Sequence, residues 1–239
     1  MILRIFLVFV ACVSLQARVD RQMLFDHLYA SSAEEDRSQV VYEVDLTSAS
    51  EEASSPGAWF SQNGYESKYA SKVKLAFENS GISFQTRRST IAVWGKKQTI
   101  QGAKKVRVEW IVDKYPRRAN YETGSKYASI YVNVAFGTKT FSSGIPFVPA
   151  APYFFSLFPG EKELLGKFYK HKYWKETSRH VCVSTGAPEG KVIVSEFELD
   201  KNFQLIFPED STPDISGFLI AMNSNGSSKA TLRKIQFLK

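Results

Sequence analysis

The sequence predicts an all-β fold with minor helical additions, an antiparallel β-sandwich. Three observations carry this. Runs rich in Val, Ile, Phe and Tyr recur from residue 70 onward, many of them alternate apolar with polar residues, and Gly, Pro, Asn and Ser separate them. With 239 residues, 44% hydrophobic and 14% aromatic, the chain has ample material for one packed core.

In chain order, "MILRIFLVFVACVSLQA" places Arg4 before an apolar run from Ile5 to Val13, the layout of a secretory signal peptide over residues 1–17. That run is too short to span a bilayer, so the mature chain is expected to carry no transmembrane segment. A second route is acylation of Cys12 in "FVAC", giving a lipid anchor. Residues 18–69 are read as an N-terminal helix in "RQMLFDHLYASSAEEDR", a first strand in "QVVYEVDL" and a Ser/Glu-rich loop in "TSASEEASSPGAW" leading into the sandwich. Residues 70–239 are the β-sandwich domain. Nine runs there read as strands: "SKVKLAF", "ISFQTR", "TIAVWGK", "KKVRVEWIVD", "YASIYVNVAF", "RHVCVST", "KVIVSEFELD", "SGFLIAMNS" and "ATLRKIQFL". Only "PGEKELLGKFY" and "DKNFQLIF" read as helical.

Cys12 and Cys182 are the two cysteines, so cleavage after Ala17 leaves a single thiol and no internal disulfide. That usage fits an exported bacterial protein better than a small eukaryotic secreted domain, and places the chain in the periplasm or outside the cell. The formal charge is +7, unevenly spread: residues 20–60 hold nine acids against Arg21 and Arg37, whereas residues 87–118 hold ten basic residues against Glu109 and Asp113. Such a basic middle suits an anionic envelope polymer. Nucleic acid is not expected, because no nucleic-acid motif accompanies the charge.

Alternation puts Val106, Val108, Trp110 and Val112 on one face of a strand and Arg107, Glu109, Ile111 and Asp113 on the other. The following strand divides in the same way into Ala128, Ile130, Val132, Val134 and Phe136 against Tyr127, Ser129, Tyr131 and Asn133. If these two strands pair, Arg107, Glu109, Tyr127, Tyr131 and Asn133 join on one surface beside the turn that holds Tyr115, Arg117 and Arg118. Aromatic rings can cover the C–H faces of sugars while amides and charges bond their hydroxyls, so these eight residues are the candidate ligand site.

"WIVDKYP", "YASIYVNVAFG", "SRHVCVS" and "ISGFLIAMNSNGSS" together resemble domain-of-unknown-function family 3047, found in exported bacterial proteins. The resemblance covers residues 70–239. It implies a sandwich of jelly-roll or galactose-binding type and, since the family has no established catalytic residues, contributes little on activity. The chain departs from that pattern at Asn223-Ser224-Asn225-Gly226 and at Gly124-Ser125-Lys126, where the family carries acidic residues, so any cation role of those acids does not transfer.

Enzyme motifs are weak. There is no Gly-x-Ser-x-Gly elbow, "GAPEGKV" and "GEKELLGKF" lack phosphate-loop spacing, and His27, His171 and His180 do not have zinc-ligand spacing. His180 and Cys182 share a strand face without an oxyanion hole to accompany them. The best catalytic alternative is "SEFELD", whose Glu196, Glu198 and Asp200 alternate onto one face, since a retaining glycosidase needs two carboxyls about 5–5.5 Å apart. No cofactor and no metal is expected. The sequence therefore points to an exported, non-catalytic protein that binds carbohydrate or another envelope polymer. A glycoside hydrolase or lyase built on Glu196 and Glu198, or a structural envelope protein without a small ligand, are the alternatives.

Overall fold

The computed structural model describes residues 39–78 and 80–239. The signal peptide, Cys12, His27 and the N-terminal helix expected in residues 18–37 lie outside the described residues.

Among the described residues, thirteen strands and three short α-helices follow one another: β1 Val40–Asp45, α1 Ala49–Glu52, α2 Pro56–Gln62, β2 Glu66–Lys68, β3 Lys74–Glu78, β4 Gly81–Thr86, β5 Ser89–Ile100, β6 Lys105–Lys114, β7 Ala128–Phe141, β8 Ala151–Gly160, β9 Phe168–Lys170, β10 Ser178–Thr185, β11 Val192–Glu198, α3 Leu199–Ile206, β12 Ile215–Asn225 and β13 Ser228–Leu238. They form two sheets. A six-stranded sheet runs β11-β6-β13-β4-β3, with β1 also pairing β13, and a seven-stranded sheet runs β2-β5-β12-β7-β8-β10-β9. The pairings within these two strand orders are antiparallel except that β10 lies parallel to β8. Successive strands from β4 to β7, and again from β11 to β13, alternate between the sheets, which is the crossing pattern of a jelly-roll sandwich.

The core lies between the sheets and is built by the alternation read from the sequence. Val106, Val108, Trp110 and Val112 of β6 face Ile130, Val132, Val134 and Phe136 of β7 in one apolar cluster. Trp110 is fully buried, and its indole Nε1 donates to Ser195 Oγ at 3.1 Å, so the ring's polar handle is satisfied inside the core. Close approach is needed where β4 starts beside β13. Gly81 has φ +139°, and a Cβ there would sit 2.2 Å from the Leu232 carbonyl oxygen.

Three local expectations change. "TSASEEASSPGAW" is not a bare loop: Ser55 Oγ accepts from Ala58 N at 3.2 Å, Pro56 occupies the first helical turn, and the resulting α2 buries Trp59 and Phe60. "PGEKELLGKFY" is not a helix. Glu163 turns inward to accept from Tyr121 N and Lys162 N, Gly166 adopts φ +74°, and the segment ends in β9. A further strand, β8, stands where none was expected, and it is buried along most of both faces.

Candidate binding face of the seven-stranded sheet

The premise of the expected site does not hold, because β6 and β7 do not pair. Their apolar faces meet across the core instead, so their polar faces point away from each other on opposite sides of the sandwich. Arg107 and Glu109 lie on the outer face of the six-stranded sheet. Tyr127, Tyr131 and Asn133 belong to the seven-stranded side, and the 115–127 connection holds Tyr115, Arg117 and Arg118 between the two. Tyr115 packs against the core, its hydroxyl pushed up to about 12 by burial and nearby carboxylates. Arg117 and Arg118 are exposed.

On the six-stranded face the charges satisfy one another. Glu196 stands opposite Arg107 and accepts from its Nε at 2.7 Å and its Nη2 at 2.6 Å. Glu198 pairs with Lys105 at 2.9 Å and Glu109 with Arg233 at 3.4 Å. Further along, Lys234 reaches Asp45 at 2.8 Å. The Glu196 and Glu198 side chains are about half exposed, at 46% and 48%, so neither sits in a dry pocket. Asp200 leaves the face altogether, since β11 ends at Glu198 and Asp200 lies in the first turn of α3, where it accepts from Gln204.

The outer face of the seven-stranded sheet is different in kind. One half is roofed by residues 120–127 and 161–176, which bury a second small cluster containing Tyr121, Tyr131, Phe158, Tyr169 and Cys182. This roof is why Tyr131, expected on a wet face, is only 3% exposed. Its hydroxyl lies 2.8 Å from that of Tyr121, and burial raises both phenols well above their usual value. Lys167 and Tyr169 both bond Glu122, tying the roof's two segments together. The other half stays open along β5 and β12, where Ile91 is 61% exposed and Val93, Gly95 and Leu219 are partly exposed.

Across the step, from the open half into the roofed one, runs a cross-strand row. Register places Gly95, Leu219, Asn133, Ser156, His180 and Tyr169 side by side on successive strands. Within that row three consecutive polar side chains, through Asn133 Oδ1, Ser156 Oγ and His180 Nδ1, have no hydrogen-bond partner among the described residues. Buried polar groups are normally paired, so three adjacent exceptions call for a physical reason. Aromatic groups flank them. His171 stacks on His180, Phe154 packs edge-on to Trp174, and Trp174 and Tyr173 are partly exposed at the lip. Lys126 crosses the same lip, its backbone oxygen accepting from Asn223 and its ammonium reaching the Lys170 carbonyl.

His180 and Cys182 do share this face, but they do not form a nucleophile and base. Burial pushes the Cys182 thiol up to about 11, its sulfur lies 3.1 Å from the Ser184 carbonyl, and His180 is driven well below its usual value, chiefly by burial. Asn133 and Tyr131 were legible as a polar face of β7. Ser156 and Trp174 were missed, the first because β8 itself was not recognised and the second because it lies in a loop with no motif.

No protein-family model and no curated protein sequence matches the chain. Among solved structures it is similar to the Emp47p carbohydrate recognition domain, at 11% identity and TM-score 0.40 over 85% of this chain and 98% of that one. It is also similar to the xylan-binding module CBM15, at 9% identity and TM-score 0.36 over 83% and 97%. A third similarity is to the glycoside hydrolase domain of Endo-D from Streptococcus pneumoniae R6, at 10% identity and TM-score 0.38, where 73% of this chain spans only 21% of the other. Likeness at this level assigns neither a ligand nor an activity.

Proposed function

We propose that this is an exported, non-catalytic carbohydrate-binding sandwich that holds a glycan of the bacterial envelope on the outer face of its seven-stranded sheet. The observation that carries the reading is the unpaired row of Asn133, Ser156 and His180, which runs from the step, where Asn133 is partly exposed, in under the roof, where Ser156 and His180 are buried. An amide oxygen, a hydroxyl and an imidazole nitrogen, set on adjacent strands about 4.8 Å apart, match ligand groups that both donate and accept, as sugar hydroxyls do. Trp174, Tyr173 and His171 supply flat apolar surface for C–H faces, and Lys126 supplies a cation. Export is supported by Arg4 and the apolar run that follows it. The resemblance of residues 70–239 to an exported bacterial family points the same way.

The test is a glycan array on the full chain that includes envelope polysaccharides, followed by calorimetry of each hit with Asn133→Ala and Trp174→Ala. Affinity in the micromolar to millimolar range, about −4 to −8 kcal/mol, is expected, with both substitutions weakening it. Hits that ignore both substitutions would move the site elsewhere.

A further inference from the structure

A second feature lies on the other side of β5. Gly95 points to the sheet's outer face, so its neighbour Lys96 points inward, toward the edge of the sandwich where β1, α1 and α2 close over it. There a cavity of about 270 Å³ is lined by Tyr42, Glu52, Trp59, Asn63, Tyr65 and Lys96 together with the Glu43–Asp45 strand. Its size is just below the roughly 300 Å³ at which small-molecule sites begin, which limits an occupant to a single small ring.

The chemistry of the walls is informative once internal bonds are accounted for. Glu43 and Asp45 are drawn to Lys234, at 3.9 and 2.8 Å. Glu52 accepts from Trp59 Nε1 at 2.8 Å and from Ser48 Oγ at 2.9 Å, which leaves lone pairs on an exposed carboxylate. The Asn63 amide nitrogen donates to the Trp59 carbonyl, and its oxygen has no partner among the described residues. Two groups stand out. Tyr65 is 7% exposed and its hydroxyl has no hydrogen-bond partner among the described residues. Lys96 holds its ammonium 5.7 Å from the Tyr42 ring centroid and 5.4 Å from that of Tyr65, with no carboxylate among the described residues at ion-pair distance. A buried phenol left unpaired costs stability, and a lysine over two rings beside it adds three donors aimed at the same space.

We infer that this cavity is a second binding site, for one neutral pyranose ring. Lys96 and Tyr65 donate to its hydroxyl oxygens, Glu52 and Asn63 accept from its hydroxyl protons, and the Tyr42 ring covers its C–H face. Donors and acceptors together select a polyol over an anion, because the Glu52 carboxylate repels an acidic sugar. This site is independent of the sheet face, since none of its residues belongs to the Asn133 row.

The experiment titrates the full chain with a panel of neutral methyl pyranosides, with methyl glucuronide and with neutral oligosaccharides, followed by nuclear magnetic resonance and calorimetry. One neutral methyl pyranoside is expected to bind saturably in the millimolar range and to shift the resonances of Tyr65, Trp59 and Lys96. Tyr65→Phe, which keeps the ring, should weaken it about three- to tenfold, and Lys96→Met should weaken it at least as much. Both variants should melt close to the parent, and Asn133→Ala should leave this binding unchanged. Tighter binding of an oligosaccharide than of its methyl pyranoside identifies the occupant as a chain end, and equal binding identifies a free sugar. The inference is overturned if no pyranoside perturbs these residues, if methyl glucuronide binds more tightly than the neutral sugars, or if Tyr65→Phe binds as well as the parent.

Discussion

His171 and His180 stack face to face, with ring centroids 4.6 Å apart and planes inclined by 20°. Burial lowers the pKa of both. His171 falls to about 4 with Lys126 adding to the effect, and His180 falls well below its ordinary value with His171 and Lys126 adding. The unfolded chain therefore binds more protons than the folded one below the ordinary histidine pKa of about 6.5, so stability is unaffected above that pH and declines as pH falls from there toward about 4. For each proton the slope approaches about 1.4 kcal/mol per pH unit. Urea unfolding at a series of pH values should show this decline, and His180→Phe should flatten it. Stability that is level between pH 7 and 5 would contradict the assignment.

Trp110 and Ser195 give a core prediction. Trp110→Ala removes a fully buried indole and should cost about 3–5 kcal/mol. Ser195→Ala leaves the indole N–H without an acceptor and should cost about 1–3 kcal/mol. Chemical denaturation of the two variants measures both. Equal and small losses would place Trp110 outside the core.

The ion pairs of the six-stranded face predict the opposite behaviour. Glu196 and Glu198 are half exposed, and solvent screens such surface pairs to a small contribution to stability. Glu196→Gln and Glu198→Gln should change stability by no more than that, should make it less sensitive to salt, and should leave glycan binding as it was. A loss of glycan cleavage on either substitution, in an assay that detects cleavage by the parent, would revive the hydrolase reading.

Cys182 should be inert. In a Cys12→Ser chain, the folded protein at pH 8 should react with an aromatic disulfide reagent far more slowly than the same chain in denaturant, because the thiol is buried and raised to about 11. Reaction at the rate of the denatured chain would show an accessible thiolate.

The core was readable because alternation over β6 and β7 is set by which faces meet inside, and those faces did meet. Sheet membership was not readable: the pattern Val106, Val108, Trp110, Val112 is the same whether β7 lies beside β6 or opposite it, and only the long 115–127 connection decides. β8 hid for a related reason. "APYFFSLFPG" does not alternate because the roof buries its outer face as well as its inner one, and Pro152 and Pro159 argue against a strand. The helical signal of Ser55-Pro56, by contrast, was present in the sequence, a cap followed by proline at the first turn, and outweighed the loop-like composition around it. Asn133 could be assigned to a polar face, but its row with Ser156 and His180 depends on the neighbours of β8, and strand order is a property of the whole fold.

A glycan bound along the step of the seven-stranded sheet shifts the resonances of the residues it touches. A glycan taken from the array would be titrated into the isotopically labelled full chain carrying Lys96→Met, so that the edge cavity does not contribute. The largest shifts are expected on Gly95, Leu219, the Asn133 side-chain amide and the His171 and His180 rings, with little change at Arg107 or Glu196. Shifts centred on Arg107, Glu109 and Glu196, with the Asn133 row unmoved, would contradict binding along the step.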